Sequence, residues 1–175
     1  MNLEEFLNRF GTDTTSNFQL IKWSKELGIK PFYYVMRNEI KKLKKIKISR
    51  RSAKRSPVYI IANYQTTSES GSHHVALYRG AHTSGRDSER SSSALRTVGV
   101  SRVAPSFYMD PFGILPLLEV IDFLEDGVYS TFKIQPVGSK MCSQLSLYIL
   151  YRLSQGFDFY DTVLEMNNYF NIENG

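Results

Sequence analysis

Apolar residues at positions 3, 6, 7 and 10 fall at helical spacing and predict a helix over Leu3 to Phe10, closed by Gly11. A second helix is expected over Phe18 to Leu27, capped by Ser16 or Asn17 and stopped by Gly28. Both read as short surface helices with one packed face. The aromatic and β-branched run Phe32 to Met36 predicts a strand, and Pro57 opens another, VYIIANY, apolar enough to be buried. His73 begins a third candidate, HHVALYR, and Phe107 to Met109 forms a fourth that delivers Asp110 at its end. Leu115 to Leu124 reads as an amphipathic helix with Pro116 in its first turn, and Tyr129 to Ile134 as a further strand. Met141 to Leu153 is apolar almost all round, which places it at the centre of the fold. A last helix is expected over Tyr160 to Phe170. Helices mixed with three or four strands imply an α+β fold, in one domain spanning residues 1–175.

Two segments interrupt this pattern. Residues 80–105 are rich in Ser, Gly and Arg and poor in large apolar groups, the composition of a mobile loop or insertion that cannot offset its ordering entropy by burial. Residues 41–55 hold nine cations, Lys41, Lys42, Lys44, Lys45, Lys47, Arg50, Arg51, Lys54 and Arg55, and no acid. The net charge of +5 therefore becomes −4 over the rest of the chain, where 13 cationic residues face 17 acidic ones. Basicity is local, and a run of this kind is either a DNA-binding patch or a solvated basic loop.

The remaining composition narrows the classes of function. A single cysteine excludes an internal disulfide and suits a reducing compartment. The acidic start MNLEEFLNRF lacks the character of a signal peptide, and no apolar run approaches the roughly 18 residues of a membrane span, so an intracellular protein off the membrane is expected. His73, His74 and His82 with one Cys do not form a zinc spacing, and no glycine-rich phosphate loop is present, so neither a metal nor a cofactor is expected.

Candidate chemistry gathers around Cys142. Pro136 and Gly138 break structure just ahead of it, which puts the thiol at the start of the central helix, where unpaired N–H groups and the positive dipole end favour a thiolate. A thiol nucleophile needs an imidazole, a carboxylate to orient that imidazole and a donor for the oxyanion. His73 and His74 begin one strand, and alternation predicts that their rings point to opposite faces, so that only one can reach the cysteine; the residues themselves do not choose. Asp110, at a strand end before Pro-Phe-Gly, either fixes the tautomer of that histidine or bonds its own turn. Gln135, read as ending a strand, is placed to donate to an oxyanion together with backbone amides near Cys142.

His, Asp, Gln and Cys in this order resemble the adenovirus-type and ubiquitin-like cysteine proteases. GSHHVALY is similar to the Gly-Thr-His-Trp-Val-Ala-Leu-Tyr of that superfamily, which assigns the catalytic histidine to His73 and puts His74 where Trp is usual. FYMDPFG is similar to the adenain-type strand end and assigns Asp110; Gln135 and Cys142 stand seven apart, the adenain interval, with Ser143 where Gly is usual. The stretch SNFQLIKWSKELGIKPFYYVMRNEI resembles the front end of adenain-like proteases of Maverick or Polinton elements and virophages. The resemblance implies a central helix carrying the nucleophile packed on a small mixed or antiparallel sheet.

It implies further a cysteine endopeptidase that cleaves capsid or scaffold polypeptides during virion maturation.

 The implied activity is thiol-dependent peptide hydrolysis with no metal: Cys142 as nucleophile, His73 as base, Asp110 orienting His73, and Gln135 at the oxyanion. Relatives of this type cut near small residues, often Gly, which implies a narrow cleft beside His73. An activating peptide or DNA is a further implied partner, as are a monomeric state and a place in the host cytoplasm or nucleus at the assembly site and in the virion. Two other functions fit the same residues. One is a deubiquitinase or related isopeptidase, and the other a DNA-binding packaging protein with a vestigial site, resting on the basic run.

Overall fold

The computed structural model describes residues 1–43, 56–68, 73–80, 105–124 and 127–173. Among them, β1 (Phe32–Met36), β2 (Val58–Asn63), β3 (His74–Arg79), β4 (Phe107–Met109) and β5 (Val128–Ser130) form one sheet in the order β1-β2-β3-β4-β5. The outer pairs β1–β2 and β4–β5 are parallel and the inner pairs antiparallel, so the sheet is mixed. Helices α1 (Leu3–Phe10), α2 (Asn17–Glu26), α3 (Ile40–Leu43), α4 (Leu118–Leu124), α5 (Cys142–Ser154) and α6 (Phe159–Glu173) complete a mixed α/β architecture compatible with the expected α+β class. The basic positions 44–55, the loop positions 81–104 and His82 lie outside the described residues.

Strand alternation sorts the sheet into two apolar layers. Tyr59, Ile61, Ala76, Phe107 and Met109 pack with α1, α5 and α6, whereas Ile60, Ala62, Val75, Leu77 and Tyr108 pack with Ile40 and Leu43 of α3 and with Val120, Phe123 and Leu124 of α4. Helix α5 is the central element, buried from Cys142 through Leu150. Each large apolar side chain removed from water there contributes about 1.5–3 kcal/mol, which fixes the position of the helix start against the sheet.

The ends of α1 and α2 follow their sequence signals. Asn2 and Glu5 form a capping box on α1, as do Ser16 and Gln19 on α2. Gly11 and Gly28 adopt φ 78° and 71°, in the left-handed region that suits glycine at a helix end.

Several expectations are corrected. Among the described residues the sheet has five strands, one at each of the five candidate segments, where a total of three or four was expected. Helix α4 begins at Leu118, not Leu115, because Pro116 disfavours helical backbone at Leu115 and the carbonyl of Leu117 accepts the first bonds, from Val120 and Ile121 N–H. Strand β5 stops at Ser130, since its ladder with β4 ends at the pair Met109–Ser130. Gln135 therefore does not end a strand; Ile134 and Gln135 instead donate their backbone N–H groups to the carbonyl of Pro111, at 3.0 and 2.8 Å. Lys41 and Lys42, read as part of one basic run, belong to the short helix α3.

Candidate active site

The site forms where β3 begins, β4 ends and α5 begins. The β3–β4 ladder runs no further than Ala76 opposite Met109, and past that end His73 Nε2 meets Asp110 Oδ2 at 2.8 Å. Asp110 is fully buried, and its other oxygen, Oδ1, accepts the N–H of Phe112 at 2.7 Å. The two contacts read from the sequence are thus both formed, one on each carboxylate oxygen. A turn holds the aspartate in place: Gly113 N–H donates to Asp110 O at 2.9 Å. Gly113 has φ +71°, and a Cβ there would stand 2.7 Å from the Thr131 carbonyl oxygen, so backbone conformation and space both require glycine.

Aromatic rings frame His73. Phe112 lies at 5.1 Å between ring centroids and Tyr64 edge-on at 5.6 Å. Behind Asp110, Tyr108 donates to Ile114 O at 3.0 Å and approaches Asp110 Oδ2 at 3.4 Å, while its hydroxyl also bonds that of Tyr64. Burial raises the Tyr108 phenol well above its ordinary range, and the neighbouring Tyr64 adds to the effect, so an O–H group faces the carboxylate.

Cys142 opens α5 with Met141 at the N-cap, and no side chain caps that end. The thiol interacts with the imidazoles of His73 and His74 and with the backbone N–H of His74. Burial alone would push the thiol up; the bonds to His73 and then His74 outweigh it and bring the group from 9.0 down to about 6. Burial would likewise push His73 down, but the Asp110 bond and the Cys142 thiol raise it from 6.5 to about 9. Between these values the pair is a thiolate beside an imidazolium. With Nε2 held by Asp110, the buried Nδ1 is the nitrogen left to exchange a proton with the thiol.

The expectation that only one histidine reaches the cysteine is overturned. His74 is the first residue of β3 and lies on the sheet face covered by α5, as alternation requires; His73 precedes the strand, where the pleat no longer dictates direction. The His74 ring is bracketed by Ser143 Oγ on Nδ1 at 2.8 Å and Tyr34 OH on Nε2 at 3.0 Å. Asn63 Nδ2 donates to the same Tyr34 hydroxyl at 3.3 Å, and Ser146 Oγ donates to His74 O at 3.1 Å. Ser143 and His74, the two positions that depart from the resemblance, are therefore bonded to each other.

Gln135 is buried, and its Nε2 donates to Ser139 O at 2.8 Å, three residues ahead of Cys142. One amide proton thus shapes the loop that leads into α5, and the amide carries a second. The sequence singled out His73, Asp110, Gln135 and Cys142 but not Tyr34, Asn63, Tyr64 and Tyr108, which the structure places around them. Ser143 and Ser146, three apart on a largely apolar helix, were a visible sign of a polar partner on the facing strand.

Among the described residues no group of His, Cys, Asp and Glu is arranged to hold a metal ion, and no helix is long and apolar enough to cross a membrane. Comparison of the chain with family models, curated proteins and solved structures finds no match.

Proposed function

We propose that this protein is an adenain-like cysteine endopeptidase that cleaves capsid or scaffold polypeptides during virion maturation in a virophage or Maverick-like element. The observation that carries the peptidase reading is the Asp110–His73 bond at 2.8 Å, with the Cys142 thiol, brought down to about 6, interacting with the same imidazole at the start of α5. The virion substrates rest on the resemblance of the sequence.

The chemistry follows from these groups. The Cys142 thiolate attacks the scissile carbonyl carbon, and the carbonyl electron pair moves onto oxygen. Backbone N–H groups at the uncapped start of α5, with the second amide proton of Gln135, stabilise that oxyanion. The His73 imidazolium gives its Nδ1 proton to the departing amine as the C–N bond breaks, leaving an acyl-thioester. His73 then takes a proton from water, whose oxygen attacks the thioester and releases Cys142 as thiolate. Asp110 holds the ring so that Nδ1 faces the sulfur.

Incubation with the capsid and scaffold polypeptides encoded alongside this chain tests the reading. Cleavage by the parent and none by Cys142→Ala is expected; cleavage that survives Cys142→Ala overturns it. Labelling of Cys142 by a probe bearing a ubiquitin-like C-terminus would redirect the assignment to an isopeptidase. We also propose that the basic run associates with DNA. Lys41 and Lys42 are exposed on α3, the Lys42 side chain at 75% with Glu39 at 3.8 Å. Replacing Lys44, Lys45, Arg50 and Arg51 with neutral residues is expected to weaken DNA binding, lowering the slope of log K against log salt by up to about 3–4, and to spare peptide hydrolysis.

A further inference from the structure

His74 is 2% exposed, and the structure gives each of its polar groups a partner. Ser143 Oγ at 2.8 Å and Tyr34 OH at 3.0 Å occupy its two ring nitrogens, and Ser146 Oγ at 3.1 Å takes its carbonyl. These partners come from β1 and from two successive turns of α5, and Asn63 of β2 holds the Tyr34 hydroxyl in turn. A ring bonded at both nitrogens in a buried site does not turn freely. Ser143 is also the neighbour of Cys142 in the first turn of α5, so its bond to the His74 ring fixes the start of the helix against β3. The thiol then interacts with the ring and the main-chain N–H of His74.

We propose that His74, clamped by Ser143 and Tyr34, is a second positioning residue for the Cys142 thiolate, distinct from the proton-transferring His73. This deepens the peptidase reading and rests on it for its role in turnover. Among the described residues, His73, His74 and the phenol of Tyr34 interact with the thiol, with the Asp110 carboxylate acting through His73. His73 exchanges the proton; His74 supplies hydrogen bonding and holds the helix start.

Because the chain has one cysteine, alkylation by iodoacetamide, followed by mass across a range of pH, reads the thiolate directly and needs no peptide substrate. For the parent the midpoint is expected near 6. Ser143→Ala and Tyr34→Phe each remove one oxygen and are each expected to raise the midpoint by about half to one pH unit, and His74→Gln by more. In the His74→Gln background neither smaller substitution is expected to move it again. Should His74→Gln fail to fold, the Ser143→Ala, Tyr34→Phe and double variants decide the matter, their combined shift being less than the sum if both act through His74. An unchanged midpoint in folded Ser143→Ala and Tyr34→Phe overturns the proposal. A moved midpoint in a protein that cleaves no peptide would instead leave this inference standing and sink the peptidase reading.

Discussion

Two adjacent histidines meet one sulfur in different surroundings. His73 is partly open, its side chain 19% exposed, and its partner is a buried carboxylate. His74 is enclosed, and its partners are the hydroxyls of Ser143 and Tyr34. A carboxylate favours the charged ring and so prepares His73 to hold and release a proton. Hydroxyl partners carry no charge and define direction instead. The difference shows that a residue type does not specify its task; the charge of what it bonds to does.

Substitutions on the two sides should therefore fail in different ways. The largest effect is expected from His73→Ala, which removes the proposed proton carrier and should lower kcat/KM by on the order of 10²–10⁴, measured with a cleavable peptide. A loss no greater than that of His74→Gln would erase the distinction between the two rings. Next comes Gly113→Ala, which forces a Cβ toward the Thr131 carbonyl at φ +71° and should cost roughly 1–3 kcal/mol, read as a lower thermal midpoint, while disturbing the turn that holds Asp110. Retained stability would mean that this turn is not what fixes the carboxylate.

The pH profile gives a sharper comparison. Activity should rise as Cys142 deprotonates through about 6 and fall as His73 deprotonates through about 9. Asp110→Asn removes a charge that raises His73, so its alkaline limb should move to lower pH, whereas Ser143→Ala should move the acidic limb upward. If both variants shift the same limb, the two sides are not separate. The smallest effect is expected from Tyr64→Phe, which removes one hydroxyl two bonds from Asp110 and should lower stability by about 0.5–1.5 kcal/mol with little change in pH profile.

Much of this was legible in the chain because it depends on near neighbours. Helical spacing found α1, and β1 and β4 appear over the residues that the sequence indicated. Strand β5 was overextended because nothing local reveals that its partner β4 ends at Met109. The exclusion of one ring from the cysteine was misjudged because alternation holds inside a strand and His73 stands just outside one.

The sequence by itself determined the order of elements, the lone thiol at a helix start and the residue types able to serve it. Those follow from spacing, turn residues and composition, which act over a few positions. Tertiary structure decided which groups meet: Asp110 with His73 across 37 positions and Ser143 with His74 across 69. The physical reason is that sheet register and the packing of α5, both collective results of burying two apolar layers, set these distances, and no local pattern encodes them.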